Sequence, residues 1–184
     1  MNILGSFFFA FLLVVRLVQM TQTGIDLLSI LLAVQSGLAA FWLIFRRRSF
    51  GEVHRSVQLL AWLSAIIPLA MQSSENARSS WLTVPGLLFI LWALWSLGSS
   101  FAVAPAARKL IVRGPYRYLR HPMYAGEIFS LVGFCIGSPL AWNCIVLIIF
   151  SLSIFYRISQ EEKLLKRYPL YAQFVKWRLM PGVW

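Results

Sequence analysis

The sequence predicts an all-α integral membrane protein: a bundle of five to six transmembrane helices with a C-terminal helical hairpin and a cytoplasmic interfacial tail helix. Of its 184 residues, 59% are hydrophobic and only 12% are charged, and the mean hydropathy is +0.72. Soluble domains contain about a quarter charged residues. The apolar residues gather into runs of roughly 20, the length that crosses a bilayer as a helix. We therefore expect one membrane domain over residues 1–184.

Six apolar segments account for the helices. They are Ile3–Met20, Ile25–Phe45, Val57–Met71, Trp81–Phe101, Pro122–Ile136 and Leu140–Tyr156. The third and fifth segments, at about 15 residues, fall short of the ~20 that a helix needs to cross squarely. A tilted, a partly embedded and a locally thinned span all remain open for these two. Pro68 lies inside the third segment, where a proline can kink a helix.

The charges of the loops predict the orientation. Arg46–Arg55 contains four arginines and one glutamate, Arg108–Arg120 contains five basic residues and no acid, and the tail beyond Arg157 is rich in Lys and Arg. The intervening loops are nearly neutral, and Gly137–Pro139 forms a bare hairpin turn. Because basic loops stay on the cytoplasmic side, six crossings place both termini in the cytoplasm. Five crossings remain open if one short segment does not span.

The chain has a net charge of +11, from 17 Lys and Arg against 6 Asp and Glu. On a soluble protein such an excess would favour nucleic acid. Here the bases lie beside apolar spans, where positive-inside sorting and anionic lipid headgroups account for them. The predicted partner is therefore the membrane lipid bilayer, and no nucleic acid is expected.

The stretch Arg108–Glu127 (RKLIVRGPYRYLRHPMYAGE) leaves the membrane between two apolar runs. Its glycine and prolines, with Pro105 before them, forbid a continuous helix, and Pro122 suits the first turn of the next helix. His121 then lies at the start of that helix, where exposed amides and nearby bases favour an anionic or polar ligand. The alternative is a basic loop that holds lipid headgroups and is anchored by its three tyrosines.

A second polar group follows the last apolar segment. Arg157 and Glu161 are four residues apart and share one face if the helix continues. Glu162 is turned about 100° away and is predicted to meet water. The pair is either an ordinary ion pair on a solvated helix or a site that faces the His121 loop and is completed by a ligand. An aromatic stripe at three-residue spacing predicts the interfacial tail helix: Tyr168, Tyr171, Phe174 and Trp177.

Signals of several other function classes are absent from the sequence. There is no Gly-rich nucleotide fingerprint, no Ser-His-Asp set in a plausible order, and no intramembrane acidic pair suited to ion coupling. His121 has no second or third ligand at metal spacing, and Cys135 and Cys144 show neither metal nor redox spacing. Transport, hydrolysis and a metal centre are therefore not favoured.

Three motifs in combination resemble one family. They are RGPYRYLRHPMYAGE, the Gly-Ser-Pro helical hairpin, and the tail EEKLLKRYPLYAQF that closes on LMPGVW. From Leu110 to the C-terminus the chain resembles the isoprenylcysteine carboxyl methyltransferase family, and related membrane methyltransferases that act on phospholipid amines or small thiols share the pattern. Residues 1–101 match only as a transmembrane scaffold, and 102–184 are interpreted as the cofactor-binding loop, hairpin and tail.

The resemblance implies a small bundle that binds S-adenosylmethionine at its cytoplasmic rim and releases S-adenosylhomocysteine. By position it assigns the cofactor pocket to Arg108, Lys109, Leu110, Ile111, Tyr116, His121, Pro122, Met123, Tyr124 and Glu161. It implies that Arg157 positions the anionic end of a lipophilic or small-molecule methyl acceptor. An isoprenylcysteine-like carboxylate is the first expectation for that acceptor, and a lipid amine or a thiol fits the same motif. His121 is not assigned as a base, because in-line methyl transfer to an anion depends mainly on alignment and exclusion of water.

Three other interpretations remain open. Sterol reductases, which bind NADPH, have a similar C-terminal half with an Arg-His-x-x-Tyr-x-Gly core, although this chain is much shorter than those enzymes. A non-catalytic lipid-binding relative of a methyltransferase would keep the same motifs. A small transporter is disfavoured by the lack of polar residues at the span centres.

Overall fold

The computed structural model describes residues 2–46, 54–73, 81–104, 110–164 and 168–184. Within these ranges the chain forms α1 (Asn2–Thr23), α2 (Leu27–Ile44), α3 (Arg55–Ile66), α4 (Thr83–Leu97), α5 (Pro122–Gly137), α6 (Ala141–Leu164) and α7 (Tyr168–Phe174). Short 3-10 turns cover Ile67–Ala70, Gly98–Ser100 and Gly114–Arg117. The described part of the chain is therefore helical throughout its regular structure.

Each predicted apolar segment corresponds to a helix, so the predicted fold class is confirmed. Four helical stretches of the described ranges are long and apolar enough to cross a membrane: Ile3–Thr23, Leu27–Ile44, Thr83–Ser100 and Ala141–Leu164. The two segments predicted to be short are short in the structure as well, at Arg55–Ala70 and Pro122–Gly137. Four long and two short apolar helices fit a bundle of five to six spans.

Local chemistry sets the helix boundaries. α2 begins after Asp26, whose Oδ1 accepts a hydrogen bond from the Ser29 amide at 3.1 Å, while the Asp26 amide donates to Ser29 Oγ at 3.3 Å. This capping box satisfies amides that a helix start leaves free. α3 ends at Ile66, and the chain continues as a 3-10 turn that contains Pro68, because proline lacks an amide donor and crowds the preceding turn. Near Pro68 the chain therefore changes from an α-helix to a 3-10 helix.

Glycines bring α4 and α5 into close contact. A Cβ atom at Gly86 would lie 2.6 Å from the backbone nitrogen of Ser130, and one at Gly133 would lie 2.5 Å from the backbone nitrogen of Thr83. Neither position has room for a side chain, and small residues of this kind let membrane helices approach closely. The contact fixes the register of α5 on α4 and so fixes where α5 begins, at Pro122.

α5 and α6 form the predicted helical hairpin around Gly137–Pro139. Asn143, which is completely buried, holds the turn, because its Nδ2 donates to the carbonyl oxygens of Ser138 and Gln72, both at 2.9 Å. The Gln72 amide in turn donates to Asn143 Oδ1 at 2.9 Å. The end of the third apolar segment is thereby tied to the hairpin at the end of the bundle opposite to the start of α5.

Large apolar side chains cover the outside of the bundle. Phe7, Phe11 and Leu152 are 68%, 65% and 63% exposed. In water a surface of this kind would promote association, whereas in a bilayer it contacts lipid tails. The exposed apolar surface agrees with a multi-pass membrane protein.

Candidate active site

Backbone hydrogen bonds join the loop before α5 to the chain after α7. The Arg120 amide donates to the Trp177 carbonyl at 2.9 Å, and the His121 amide donates to the Arg178 carbonyl at 3.0 Å. A parallel bridge between Leu119 and Trp177 lies beside them. The loop and the tail, which are more than 50 residues apart in the chain, therefore meet at one end of the bundle.

Side chains strengthen this junction. The Tyr171 hydroxyl donates to the Tyr116 carbonyl at 2.7 Å, and burial raises the pKa of Tyr171, so this hydroxyl remains a protonated donor at neutral pH. Arg120 donates through Nε to the Val175 carbonyl at 2.7 Å and through Nη2 to the Lys176 carbonyl at 2.8 Å. Arg120 thus binds the tail of its own chain.

A cavity of about 70 Å³, here called the His121 cavity, lies at this junction. Six of the residues that the resemblance assigns to the cofactor pocket line it: Ile111, Tyr116, His121, Met123, Tyr124 and Glu161. They come from the loop, from the start of α5 and from the last turns of α6. α6 continues past its apolar part to Leu164 and so brings Glu161 to the loop.

Two of the other predicted pocket residues, Leu110 and Pro122, lie outside this lining. Leu110 packs against a buried cluster in the tail formed by Tyr168, Tyr171 and Val175. Pro122 is fully buried as the first residue of α5. Arg108 and Lys109 lie outside the described residues.

His121 lies among aromatic and acidic side chains and is only 6% exposed. Its ring stacks on Tyr124 and Tyr168, with centroid distances of 5.8 and 6.3 Å. Its Nε2 lies 3.2 Å from Glu162 Oε1, and its Nδ1 lies 4.0 Å from Glu161 Oε2. Because carboxylates flank both ring nitrogens, the orientation of the ring is fixed.

The prediction that Glu162 meets water is wrong. Its side chain is 16% exposed, and its carboxylate accepts hydrogen bonds from Arg178 Nε at 2.8 Å and Arg178 Nη2 at 3.2 Å. The Tyr168 hydroxyl donates to the same carboxylate. The tail turns back after α7 and covers the face of α6 that a free helix would leave to solvent. A fork-like pairing of arginine with carboxylate is a strong ion pair.

The same network shifts two pKa values. Burial, and after it the hydrogen bond to Glu162, raise the pKa of Tyr168 to about 12. The hydrogen bond to Glu162 is also the main cause that raises the pKa of Arg178. At neutral pH Tyr168 is therefore neutral and Arg178 is a cation. Both side chains can thus donate hydrogen bonds to the Glu162 carboxylate.

Glu161 differs from Glu162 in its partners. Its Oε2 accepts a hydrogen bond from the Tyr124 hydroxyl at 3.2 Å, and its side chain is 23% exposed. Within the described residues its ion-pair contact is the distant one with His121, at 4.0 Å. Glu161 therefore presents to the His121 cavity a carboxylate that lacks a close ion-pair partner among the described residues.

Arg157 is 4% exposed and binds across the bundle. Its Nη1 donates to Ser64 Oγ at 2.9 Å, its Nη2 donates to the Val103 carbonyl, and its guanidinium carbon lies 5.0 Å from the ring centroid of Tyr124. Among the described residues, Arg157 does not form the ion pair with Glu161 that their four-residue spacing would allow. Arg157 Nε has no hydrogen-bond partner among the described residues.

A second, larger cavity of about 890 Å³, here called the Arg157 cavity, lies inside the bundle. Its walls come from α1 to α6 and are mostly apolar, and Arg157 and Glu127 also line it. Met123 lines this cavity and the His121 cavity alike. The two cavities are therefore adjacent, and they share the Met123 side chain as a wall.

Comparison with known families identifies the class of this site. A model of the phospholipid methyltransferase family matches residues 77–172, just over half of the chain. The chain belongs to the phospholipid methyltransferase family. The range that matches this family includes α5, α6, Met123 and both His121 and Arg157. The resemblance to membrane methyltransferases that the motifs predict is confirmed.

The chain is also similar in sequence to the uncharacterized protein YpbQ of Bacillus subtilis (strain 168). It is 28% identical over 137 residues, which cover 65% of this chain and 78% of that protein. This relative is a bacterial protein whose name does not identify a methyl acceptor. Membership of the phospholipid methyltransferase family thus defines a membrane methyltransferase as the functional class.

Sequence reasoning missed two features of the site. Glu127 gave a signal, because an acid near an apolar span is costly and often functional. Arg178 gave none, because 16 residues and a reversal of the chain separate it from Glu162. Among the described residues, no group of three His, Cys, Asp or Glu side chains is placed to hold a metal ion.

Proposed function

We propose that the protein is an S-adenosylmethionine-dependent methyltransferase whose acceptor is a lipophilic molecule with an isoprenylcysteine-like carboxylate. The observation that supports it most is the position of Met123 between the two cavities. One cavity offers the carboxylate of Glu161 and the other offers apolar walls with the guanidinium of Arg157. A polar methyl donor and a lipidic acceptor would meet at this side chain.

The residues of the His121 cavity fit the chemistry of S-adenosylmethionine. Glu161 offers a carboxylate to the ammonium or hydroxyl groups of the cofactor. The rings of Tyr124 and Tyr168 contact His121 and the guanidinium groups of Arg157 and Arg120. A cationic sulfonium or a stacked adenine that replaces one of these neighbours would find the same aromatic surface. When bound, the cofactor supplies an electrophilic methyl group on sulfur.

The size of the His121 cavity implies a movement on binding. It measures about 70 Å³, whereas sites for ligands of this class occupy roughly 300–1,000 Å³. The contacts that close it are the bonds of Arg120 and Tyr171 between the loop and the tail. We therefore expect the junction of loop and tail to open for the cofactor to enter.

The Arg157 cavity suits an acceptor with an apolar chain and an anionic end. Its walls are apolar enough for a prenyl chain, and Arg157, whose Nε lacks a hydrogen-bond partner among the described residues, supplies a positive charge for a carboxylate. Methylation converts that carboxylate into a neutral ester, so Arg157 attracts the substrate more strongly than the product. A phospholipid amine, which the name of the family suggests, and a small thiol are the alternative acceptors.

The side chains of this protein then act by alignment. Arg157 is immobilised by Ser64 and Val103, so it holds the anion at a fixed distance from Met123. An ionised carboxylate needs no general base, and an apolar surrounding excludes water that would compete. His121 is held by its neighbours and shapes the pocket.

The proposal also places the site on the cytoplasmic side, with both termini there if the chain crosses six times. The loop that forms the His121 cavity contains Arg113, Arg117 and Arg120, and basic loops stay on that side.

Ligand-induced stabilisation of the detergent-solubilised full chain tests the cofactor. A ligand that binds only the folded state raises the melting temperature by mass action. We expect S-adenosylmethionine to raise it and NADPH to leave it unchanged. A shift with NADPH alone would favour an enzyme like the sterol reductases, and no shift with either would favour a non-catalytic lipid-binding relative.

Transfer of a labelled methyl group tests the acceptor. S-farnesylcysteine, phosphatidylethanolamine and decanethiol are offered in separate reactions with labelled S-adenosylmethionine. We expect a base-labile methyl ester of the first compound. Labelling of the amine or the thiol alone would replace the proposed acceptor and leave the methyltransferase in place.

A further inference from the structure

Four buried polar atoms that lack a hydrogen-bond partner among the described residues belong to residues that line the same cavity. They are Arg157 Nε, Glu127 Oε2, Gln35 Oε1 and Thr83 Oγ1. A buried polar group without a partner is costly to stability, and native structures contain few of them. Their concentration in the Arg157 cavity indicates that a ligand completes their bonding.

The chemistry of these atoms describes the ligand. Arg157 Nε is a donor, so it calls for an anion or another acceptor. Glu127 Oε2 and Gln35 Oε1 are acceptors, so they call for an N–H or O–H donor. A ligand with only a carboxylate and an apolar chain would satisfy Arg157 and leave Glu127 and Gln35 unpaired.

Glu127 lines the Arg157 cavity from α5. It follows Met123 by four residues on α5 and therefore shares its face, one turn further from the His121 cavity. Arg157 lines the same cavity from α6. Arg157 is nevertheless turned toward Ser64 and Val103, and Glu127 Oε2 remains without a partner in the described structure.

We propose that Glu127, together with Gln35, binds a protonated amine of the same acceptor whose anionic group binds Arg157. This inference rests on the proposed function and adds to it a second recognition point. The acceptor is then an amphoteric lipid, with an amine adjacent to its anion and an apolar chain in the remaining cavity. Glu127 discriminates this molecule from a lipid acid without nitrogen.

Two probes with the same farnesyl chain and the same carboxylate test the proposal. S-farnesylcysteine has the amine, and S-farnesyl-3-mercaptopropionate lacks it. Affinities for the detergent-solubilised full chain are measured by calorimetry, with S-adenosylmethionine titrated separately. We expect wild type to bind the amine-bearing probe at least about tenfold more tightly, the size of one charge-assisted hydrogen bond.

Glu127→Gln keeps the size of the side chain and removes its ability to ionise. We expect it to reduce the preference to less than about threefold, through weaker binding of the amine-bearing probe only. Ser130→Ala is the matched control, because Ser130 lines the same cavity from the same helix but already donates to the Thr83 carbonyl at 3.4 Å. This control should keep the wild-type preference.

The outcomes separate the two proposals. Equal affinities of wild type for both probes, or a preference that survives in Glu127→Gln, overturn the role of Glu127 and leave the proposed function standing. Failure of both probes to bind wild type, while S-adenosylmethionine binds, overturns the proposed acceptor and the role of Glu127 with it. The wild-type comparison needs no variant to fold, so the proposal can fail even if Glu127→Gln is unstable.

Discussion

The two cavities differ in how their polar groups are satisfied. In the His121 cavity and its surroundings, Glu162 is bound by Arg178, Tyr168 and His121. In the Arg157 cavity, polar atoms of Arg157 and Glu127 have no partner in the described structure. A ligand entering the first must displace or open contacts that stabilise the fold, whereas a ligand entering the second adds bonds that the fold lacks. Glu162 should therefore affect mainly stability, whereas Arg157, which is also hydrogen-bonded across the bundle, should affect acceptor binding as well.

Arg157→Ala should give the largest effect, a loss of acceptor binding in the Arg157 cavity. Removing one partner of a buried charged contact costs about 2–5 kcal/mol in binding, so we expect affinity for S-farnesylcysteine to fall about 100-fold. Calorimetry should show unchanged affinity for S-adenosylmethionine. Arg157→Lys, which keeps the charge and loses the planar fork, should be intermediate. Normal acceptor affinity in Arg157→Ala would remove this residue from the site.

Glu162→Ala should destabilise the protein around the His121 cavity. It leaves the buried or half-buried donors of His121, Arg178 and Tyr168 without their carboxylate, so we expect the free energy of unfolding to fall by about 2–4 kcal/mol. Denaturation of the solubilised protein, followed by tryptophan fluorescence, measures this loss. Glu162→Gln keeps an acceptor and should lose less. A Glu162→Ala protein as stable as wild type would show that the network does not stabilise the fold.

Glu161→Ala should separate cofactor binding from stability, because Glu161 lines the His121 cavity and takes no part in the ion pair between Glu162 and Arg178. We expect affinity for S-adenosylmethionine to fall about tenfold, the effect of one hydrogen bond to a charged group, with a small loss of stability. Tyr124→Phe removes the same internal hydrogen bond and keeps the carboxylate. Equal losses of affinity in the two variants would mean that the carboxylate does not contact the cofactor.

Asp26→Ala should give the smallest effect and leave both cavities intact. Loss of the cap of α2 should lower stability by about 1 kcal/mol, seen as a lower melting temperature. Asp26→Ser, another good cap, should retain most of the stability. A change in either ligand affinity would show that the cap and the cavities are coupled.

The fold could be predicted in detail where the membrane imposes it. The helix Leu27–Ile44 was predicted as the apolar segment Ile25–Phe45, because a helix satisfies every backbone group inside the bilayer. The start of α5 followed from Pro122, which tolerates the first turn of a helix alone. These are local consequences of the chain, so no tertiary information was needed.

The site could be predicted only in part. The contact of Glu161 with the His121 loop followed from a resemblance, since 40 residues separate His121 from Glu161 along the chain. The burial of Glu162 depends on the return of Arg178, which no local pattern announces. The Arg157 cavity is a space between six helices, and a volume of this kind depends on tertiary packing rather than on any one segment.

The glycine contacts between α4 and α5 have a consequence for bilayers of different thickness. Sliding α5 along α4 would drive backbone against backbone at Gly86 and Gly133, so the pair must respond to its lipid surroundings as one rigid body. A thinner or thicker bilayer is met by tilting, at fractions of a kcal/mol per Å of mismatch. Because His121 directly precedes α5, its distance from α4 stays constant while the tilt changes. The same chain should therefore keep its internal geometry in short-chain and long-chain lipids.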